Sequence, residues 1–132
     1  MSNLFLPEGK VEIFYNNAGV PERLGELVGP EAIGTAVTTM MKPHSLRGWS
    51  HHTTHDPIIE VKDDTGTLDA QFVVFNVVGA GKPEDGWPEG ASGAQGTITP
   101  IESGYYRPML KKVDGRWMMT HHRIYHDLPM VF

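Results

Sequence analysis

Side chains that could carry acid–base chemistry are concentrated in residues 104–126, GYYRPMLKKVDGRWMMTHHRIYH. His121 is a candidate because imidazole exchanges protons near neutral pH. Tyr106 and Arg123 are candidates because a hydroxyl and a guanidinium can hold a substrate carbonyl or carboxylate oxygen. We therefore predict that these three residues act together on a substrate. A cation–π contact between Arg123 and Tyr106 that only braces the sheet is an open alternative.

The three side chains share a face only if this run folds as one particular hairpin. Asp114-Gly115 predicts the turn, because a type I′ turn needs positive φ at both central residues. The resulting register pairs Val113 with Arg116, Lys112 with Trp117, Leu110 with Met119, Pro108 with His121 and Tyr106 with Arg123. One face is then apolar near the turn and rich in His, Tyr and Arg further away, which is typical of a pocket wall. A half-buried sheet with an ordinary surface is the alternative.

Histidine is abundant, with seven His against eleven Lys and Arg. Three histidines fall in residues 51–55 and three in residues 121–126. Adjacent residues on a strand point to opposite faces, so neighbouring histidines cannot chelate one ion. His52 and His121 could converge with a carboxylate, but no ligand spacing supports this. We predict no metal and no cofactor. Gly-x-Ser-x-Gly and GxGxxG motifs are absent from the sequence, which argues against a serine hydrolase and a dinucleotide site.

The composition indicates one globular domain spanning residues 1–132. Hydrophobic residues make up 39% and charged residues 20% of the chain. The net charge of −5 and the lack of a basic patch argue against nucleic acid as a partner. No apolar run approaches the roughly 20 residues of a membrane helix, and we expect no membrane association. Cysteine is absent and no signal peptide is apparent, so we expect a cytoplasmic protein.

Local patterns predict one helix and several strands. Residues 10–15 alternate as a strand that turns Tyr15 inward, whereas residues 18–28, with Pro21 and Gly25, predict a loop or short helical turn. Pro30 then begins a helix that ends before Pro43. The helix predicts an apolar core stripe of Ile33, Val37, Met40 and Met41.

The second half of the chain predicts a succession of strands. Residues 46–63 form a long strand with a bulge or edge position at Pro57. Residues 67–78 form the next strand, with Phe72 on its apolar face and Asp69 opposite. A Gly/Pro-rich loop at residues 79–96 precedes the two strands of the C-terminal hairpin. One helix followed by long strands indicates an α+β fold.

In several short motifs the chain resembles the SnoaL-like branch of the NTF2-like superfamily. They are the helix start GPEAIGTAV at residues 29–37, the strand in which His52 precedes Pro57-Ile58 and an acidic turn, and the ending with Gly104, Tyr106, Asp114, Gly115, Trp117 and Arg123. The resemblance covers roughly residues 10–127. It implies a curved, mixed or antiparallel sheet of about four to six strands wrapped around a helix as a cone with an apolar pocket.

Two helices usually precede the first strand in that family. Only about nine residues precede the predicted strand at residues 10–15. We therefore expect the N-terminal helices to be short or missing, together with the catalytic Tyr or Asp that they often carry.

The resemblance also implies an activity. His52 matches the family's strand histidine, which is the general base of its dehydratases. A histidine that only hydrogen-bonds a neighbour is the alternative. We predict a cofactor-free lyase or isomerase of dehydratase type acting on a hydrophobic, cyclic, oxygenated substrate, with four catalytic residues: His52, Tyr106, His121 and Arg123.

Five further residues are predicted to bind the substrate: Tyr15, Trp49, Asp69, Phe72 and Met119. A non-catalytic ligand-binding or dimerisation module of the same fold is the alternative function. In either case we expect a homodimer or a higher homo-oligomer. Its interface would use the sheet face that the predicted register gives to Tyr105, Met109, Met118 and Ile124.

Overall fold

The computed structural model describes residues 2–41 and 43–131. In chain order the elements are a 3₁₀ turn (Ser2–Leu4), β1 (Phe5–Asn17), β2 (Val20–Val28), α1 (Pro30–Met40), β3 (Gly48–Lys62), β4 (Thr65–Gly79), β5 (Gly96–Val113) and β6 (Arg116–His126). Residues 80–95 connect β4 to β5 without helix or strand. None of the helices in the described part of the chain is long and apolar enough to span a membrane.

The six strands form one curved, unclosed sheet in the order β2-β1-β6-β5-β4-β3. All neighbouring strands are antiparallel except β1 and β6, which run parallel. The predicted α+β class and the mixed sheet around one helix are confirmed. Only the 3₁₀ turn precedes β1 among the described residues.

The segment predicted as a loop or short helical turn is instead the edge strand β2. Ala18 and Gly19 have φ of 51° and 85°, so they form the tight turn that returns the chain along β1. Pro21 and Gly25 are normally strand breakers, but an edge strand tolerates a residue that cannot donate to a ladder. The prediction was wrong because Pro21 and Gly25 argue only against a central strand, and the possibility of an edge strand was not considered.

Helix α1 covers one end of one sheet face, which we call the inner face. Gly29, at φ 87°, precedes Pro30, and the helix buries Ile33 against Phe5 and Val11. The helix lies mainly against β1, β2 and the 3₁₀ turn, and Met119 and Ile124 of β6 pack against the cluster around Ile33. The helix therefore leaves most of the inner face of β3–β5 uncovered. The predicted core stripe is therefore only partly correct: Met40 and Met41 are 46% and 53% exposed.

Strands β3 and β4 follow their predicted patterns. The β3 register shifts between His55 and Ile58, and Asp56 has φ 48°, which confirms a bulge at Pro57. Phe72 is buried, as predicted for the apolar face of β4, together with its neighbours Ala70 and Val74. These three residues form the centre of the inner face.

The C-terminal hairpin is confirmed near its turn and wrong beyond it. Asp114 and Gly115 have φ of 50° and 77°, and the first pairs agree with the predicted register through Leu110 and Met119. Thr120 is then left unpaired, and its Oγ1 donates to the carbonyl of Met109 at 3.1 Å. The observed pairs beyond this bulge are Met109 with His121, Pro108 with His122, Arg107 with Arg123, Tyr106 with Ile124 and Tyr105 with Tyr125.

Because side chains alternate along a strand, one inserted residue moves all that follow to the other face. His121 and Arg123 therefore lie on the outer face, opposite to Tyr106. Ile124, predicted on the face with Tyr105 and Met109, packs instead against the inner core.

Candidate functional site

The candidate site is a group of five residues on the inner face, which we call the inner cluster: Phe72, Glu102, Tyr106, His122 and His126. Three adjacent strands, β4, β5 and β6, supply them. Gly104 lies opposite both Phe72 and His126 in the ladders, and because it has no side chain, the Phe72 ring can lie directly over its backbone.

The aromatic rings of the inner cluster pack closely. Phe72 is 1% exposed and stacks on Tyr106 at a centroid distance of 4.2 Å. The His126 ring meets the Phe72 ring edge-on at 5.9 Å, and the His122 ring lies 5.4 Å from that of Tyr106. This packing fixes both imidazoles against a rigid apolar platform.

His126 and Glu102 form a close pair. Nδ1 of His126 lies 2.6 Å from Oε1 of Glu102, and His126 is 7% exposed. The contact is an ion-pair distance, although the N–H direction does not point at the oxygen well enough for a hydrogen bond. Since Nδ1 faces the carboxylate, Nε2 is the ring nitrogen without this contact. An imidazole oriented by a carboxylate is the arrangement of a general base.

His122 and Tyr106 are kept uncharged. Burial, and secondarily the neighbouring His121, lowers the pKa of His122 to about 4. Burial, and secondarily Glu102, raises the pKa of Tyr106 above its ordinary value. Near pH 7 His122 is therefore a neutral imidazole and Tyr106 a protonated phenol. Both can hydrogen-bond an oxygen of a substrate, and Tyr106 can donate its proton.

We expect His122 to make the protein less stable as the pH falls from about 6.5 to 4. In that range the histidine of the unfolded chain, with an ordinary pKa of 6.5, binds a proton, whereas the folded His122 stays neutral down to about pH 4. The loss amounts to roughly 3 kcal/mol. Urea unfolding of the wild type and of His122→Gln between pH 7 and pH 4 measures it.

The difference between these two proteins isolates His122 from all other titrating groups. The exposed outer-face His51 provides the matched control, and His51→Gln should retain the pH dependence of the wild type. If His122→Gln retained it too, burial of a neutral imidazole would be contradicted.

The structure places some of the predicted site residues on the inner face. Tyr106 and Phe72 are in the inner cluster. Tyr15 lies opposite His126, and Met119 packs against the core under α1. His52 lies opposite Val74 on the same face, but on the exposed edge strand β3.

The other predicted site residues lie on the outer face, so the expected convergence of His121 and Arg123 with Tyr106 is wrong. His121 Nε2 is 2.6 Å from Glu12 Oε1. Asp69 accepts a hydrogen bond from Arg107 at 2.9 Å. Trp49 is opposite Val77 and 52% exposed.

Glu102, His122 and His126 were not among the predicted site residues. In the sequence His122 stands between the predicted His121 and Arg123, and His126 follows three residues later, but their face depends on the bulge at Thr120. The available signal for the bulge was Thr120 itself, a polar residue inside the strand whose hydroxyl can reach a carbonyl of the neighbouring strand.

A groove beside the helix does not include this cluster. It has a volume of about 760 Å³, lies between α1 and β2, and includes Pro7, Leu27, Glu31 and Thr35 in its lining. Within residues 2–41 and 43–131, no group of three or more His, Asp or Glu side chains could hold a metal ion.

Comparisons with known proteins agree with this architecture. The structure resembles a protein from Novosphingobium aromaticivorans proposed to be the β subunit of an aromatic-ring-hydroxylating dioxygenase (TM-score 0.66, 15% identity, 99% of this chain and 76% of that one). It also resembles a protein of unknown function with a cystatin-like fold from Nostoc punctiforme, with a TM-score of 0.63 and 15% identity over 96% of this chain and 73% of that one. A third match is a proposed scytalone dehydratase from N. aromaticivorans, with a TM-score of 0.59 and 14% identity over 96% of this chain and 68% of that one.

At these identities the similarity establishes the fold alone, an NTF2-like cone. A comparison with curated protein sequences gives no match. The sequence profile of the SnoaL-like domain matches residues 1–123, nearly the whole chain. The chain therefore belongs to the SnoaL-like domain family.

Proposed function

We propose that this protein is a cofactor-independent lyase or isomerase of dehydratase type that uses general acid–base catalysis. The observation that carries the proposal is the contact between Nδ1 of His126 and Oε1 of Glu102 at 2.6 Å, beside two uncharged hydrogen-bonding rings. A proton-transfer enzyme needs a base with one free nitrogen and a donor for the oxygen that becomes negative. His126 and Tyr106 supply these two functions.

In this proposal His126 removes a proton from the carbon next to the substrate carbonyl, and Tyr106 donates a hydrogen bond to the carbonyl oxygen that gains charge. The resulting enolate then expels the β-hydroxyl group, which takes the proton back from the His126 imidazolium and leaves as water. Glu102 is a positioning residue, since it holds the ring and stabilises the imidazolium once His126 is protonated. His122 provides a further neutral contact for an oxygen. His52, on the same face, is the alternative base.

A hydrophobic, cyclic and oxygenated substrate fits these surroundings. Phe72 and Tyr106 form a stacked aromatic pair, and the partly exposed Tyr106 offers an aromatic surface to a substrate ring. Tyr15 and Met119 lie on the same face at its β1 and β6 side. The proposed scytalone dehydratase among the structural matches has the same fold, which is consistent with dehydration as the reaction.

We expect Glu102→Gln to reduce turnover of cyclic β-hydroxy ketones. The amide keeps the shape of the side chain but has no negative charge to face the proton that His126 takes up during the reaction. The measurement is kcat and kcat/KM from pH 5 to pH 9 for the wild type and the variant.

Glu60→Gln, which changes an exposed carboxylate on β3, is the matched control. A Glu102→Gln profile identical to that of the wild type would contradict the role of the pair.

A second candidate function is that of an assembly subunit. Its support is the exposed apolar side chains on the outer face of β3, where Trp49 is 52% and Ile58 65% exposed. Exposed apolar groups gathered on one strand are typical of interaction sites. The first structural match is itself proposed to be a subunit of a larger enzyme.

We expect a homodimer if these β3 side chains form an interface. Multi-angle light scattering at micromolar concentration should then give twice the chain mass of 14.6 kDa. Ile58→Lys should shift the mass towards the monomer, because a charge cannot be buried there without a partner. A monomeric wild type would contradict this candidate.

A further inference from the structure

Helix α1 presents an almost uncharged surface to its surroundings. Glu31 is its only charged residue, and Ile33 is the only one of its residues that is buried. A helix that faces water usually carries charged side chains on the side away from the core. The exposed side of α1 consists instead mostly of small side chains, at Ala32, Thr35, Thr38 and Thr39.

Two threonine hydroxyls of this side are already hydrogen-bonded within the helix. Thr38 Oγ1 donates to the carbonyl oxygens of Gly34 and Thr35 at 3.2 and 2.9 Å. Thr39 Oγ1 donates to those of Thr35 and Ala36 at 2.9 and 3.2 Å. Because these hydroxyls are paired with the backbone, an apolar surface that covers them leaves neither donor unsatisfied. The exposed side of α1 can therefore be buried at little cost.

The inner face has an uncovered apolar end, on the side of the β3–β4 and β5–β6 turns. Met119 packs on the inner core, and Leu110 lies opposite it in the ladder. Gly66 lies opposite Leu110, and Val61 lies opposite Gly66, so the row shares the inner face. The Trp117 ring lies over Gly66, 3.6 Å from where a Cβ would be. We call this surface the open end, and its exposed members are Ile59, which alternation along β3 places on the same face, at 62%, Val61 at 61% and Trp117 at 38%.

The chain as a whole exposes more surface than a compact monomer of its mass. Its accessible surface is 9270 Å², whereas a compact monomeric protein of 14.6 kDa exposes about 6,900 Å². The surplus of roughly 2,400 Å² is close to the upper end of what one subunit buries in an obligate dimer. Association through the exposed side of α1 and the open end would bury part of this surplus.

One acidic and one basic side chain accompany these two surfaces. Glu31 lies in the first turn of α1. Lys112 lies opposite Trp117 in the ladder, with its Nζ 5.9 Å from the centre of the Trp117 ring. Within the described part of the chain, neither Glu31 nor Lys112 has an ion-pair partner within 4 Å. Opposite charges on two apolar surfaces favour contact between those surfaces.

We propose that two copies of this chain associate through their inner faces, so that α1 of each copy covers the open end of the other. A two-fold axis makes the two contacts identical, because each copy gives a helix and receives one. The methyl groups of the helix pack on Ile59, Val61 and Trp117 of the partner subunit. Glu31 lies near Lys112 of the partner subunit.

A second copy is the occupant because this chain carries both complementary surfaces. A different protein would have to supply an uncharged helix and an apolar sheet end together, whereas a copy supplies both. The dimer then has a layer of two helices between two sheets, a layered arrangement in which each sheet is covered. This interface is distinct from the outer-face side chains Trp49 and Ile58, and it does not depend on the reaction proposed for the inner cluster.

Multi-angle light scattering at micromolar concentration tests the association. The wild type should have twice the chain mass of 14.6 kDa. Ile59→Lys should raise the dimer Kd at least about tenfold, because the interface would have to bury an unpaired charge. Thr35→Lys should do the same from the helix side, and it keeps the helix because lysine has the higher helix propensity. The matched control is Ile98→Lys, which changes an outer-face side chain that is 71% exposed and should leave the dimer intact.

Charge exchange tests how the two copies are oriented. Glu31→Lys and Lys112→Glu each bring like charges together, so each should raise the dimer Kd by roughly threefold or more at low salt. The double variant restores an opposite pair and should recover most of the wild-type affinity. Sedimentation equilibrium of the four proteins measures this, and circular dichroism establishes that all variants are folded.

Several results would overturn the proposal: a monomeric wild type, undiminished dimerisation of both Ile59→Lys and Thr35→Lys, or a double charge variant no better than the single ones. A dimer that dissociates in Ile58→Lys or Ile98→Lys, but not in Ile59→Lys, would also overturn it, because the interface would then lie on the outer face.

Discussion

Replacing His126 with glutamine is expected to lower turnover by roughly 10²–10⁴-fold, the usual contribution of a general base. Glutamine occupies a similar volume and can still contact Glu102, but it cannot take up a proton. The loss should appear in kcat more than in KM, because the proton moves in the chemical step and not on binding. Steady-state kinetics on a cyclic β-hydroxy ketone that the wild type dehydrates provide the measurement.

Two histidine variants make this result interpretable. His121→Gln changes a histidine of the same strand that lies on the outer face, and it should leave kcat nearly unchanged. His52→Gln should cause a smaller loss than His126→Gln, since His52 lies on the exposed edge strand. If His52→Gln abolished turnover and His126→Gln did not, the base would be His52. Melting temperatures of all three variants separate catalysis from folding.

Gly104→Ala is expected to destabilise the protein by about 3 kcal/mol, the upper part of the range for overpacking. A Cβ at this position would collide with the carbonyl oxygen of Tyr125 and come within 2.9 Å of Cε1 of Phe72. Phe72 is 1% exposed, so its ring has no free space into which it can move. Urea unfolding should show a lower midpoint.

Gly25→Ala is the matched control, because a Cβ at Gly25 meets no atom within 4 Å and this glycine has an ordinary φ. Its stability should stay within about 0.5 kcal/mol of the wild type. Gly104→Ala should also disturb the rings of Tyr106 and His126, which both contact Phe72. A Gly104→Ala protein as stable as the wild type would mean that β5 and β6 can separate without loss.

Local signals in the sequence account for much of the fold. Proline at the start of α1, the alternation of β4 and the Asp114-Gly115 turn each depend on neighbouring residues only, and each was predicted. Strand β2 was missed because Pro21 and Gly25 are acceptable only at a sheet edge. Edge position is a property of the whole sheet and cannot be read from a local pattern.

The candidate site was less predictable because it depends on strand register. Strand side chains have a period of two, so the single bulge at Thr120 exchanged His121 and Arg123 for His122 and Ile124 on the inner face. Phe72 and Tyr106 were placed correctly because no bulge separates them from well-defined turns. The His126–Glu102 pair joins two strands, so no short sequence pattern predicts it.

The parallel pairing of β1 with β6 has a consequence for how the chain folds. These strands lie side by side in the middle of the sheet, although nearly the whole chain separates them. Contacts between such distant segments slow folding, because a large loop must close before they form. On the ribosome, β1 must wait with an unpaired edge until β6 emerges. His126, at the last position of β6, would then join the inner cluster only when synthesis of the domain is nearly complete.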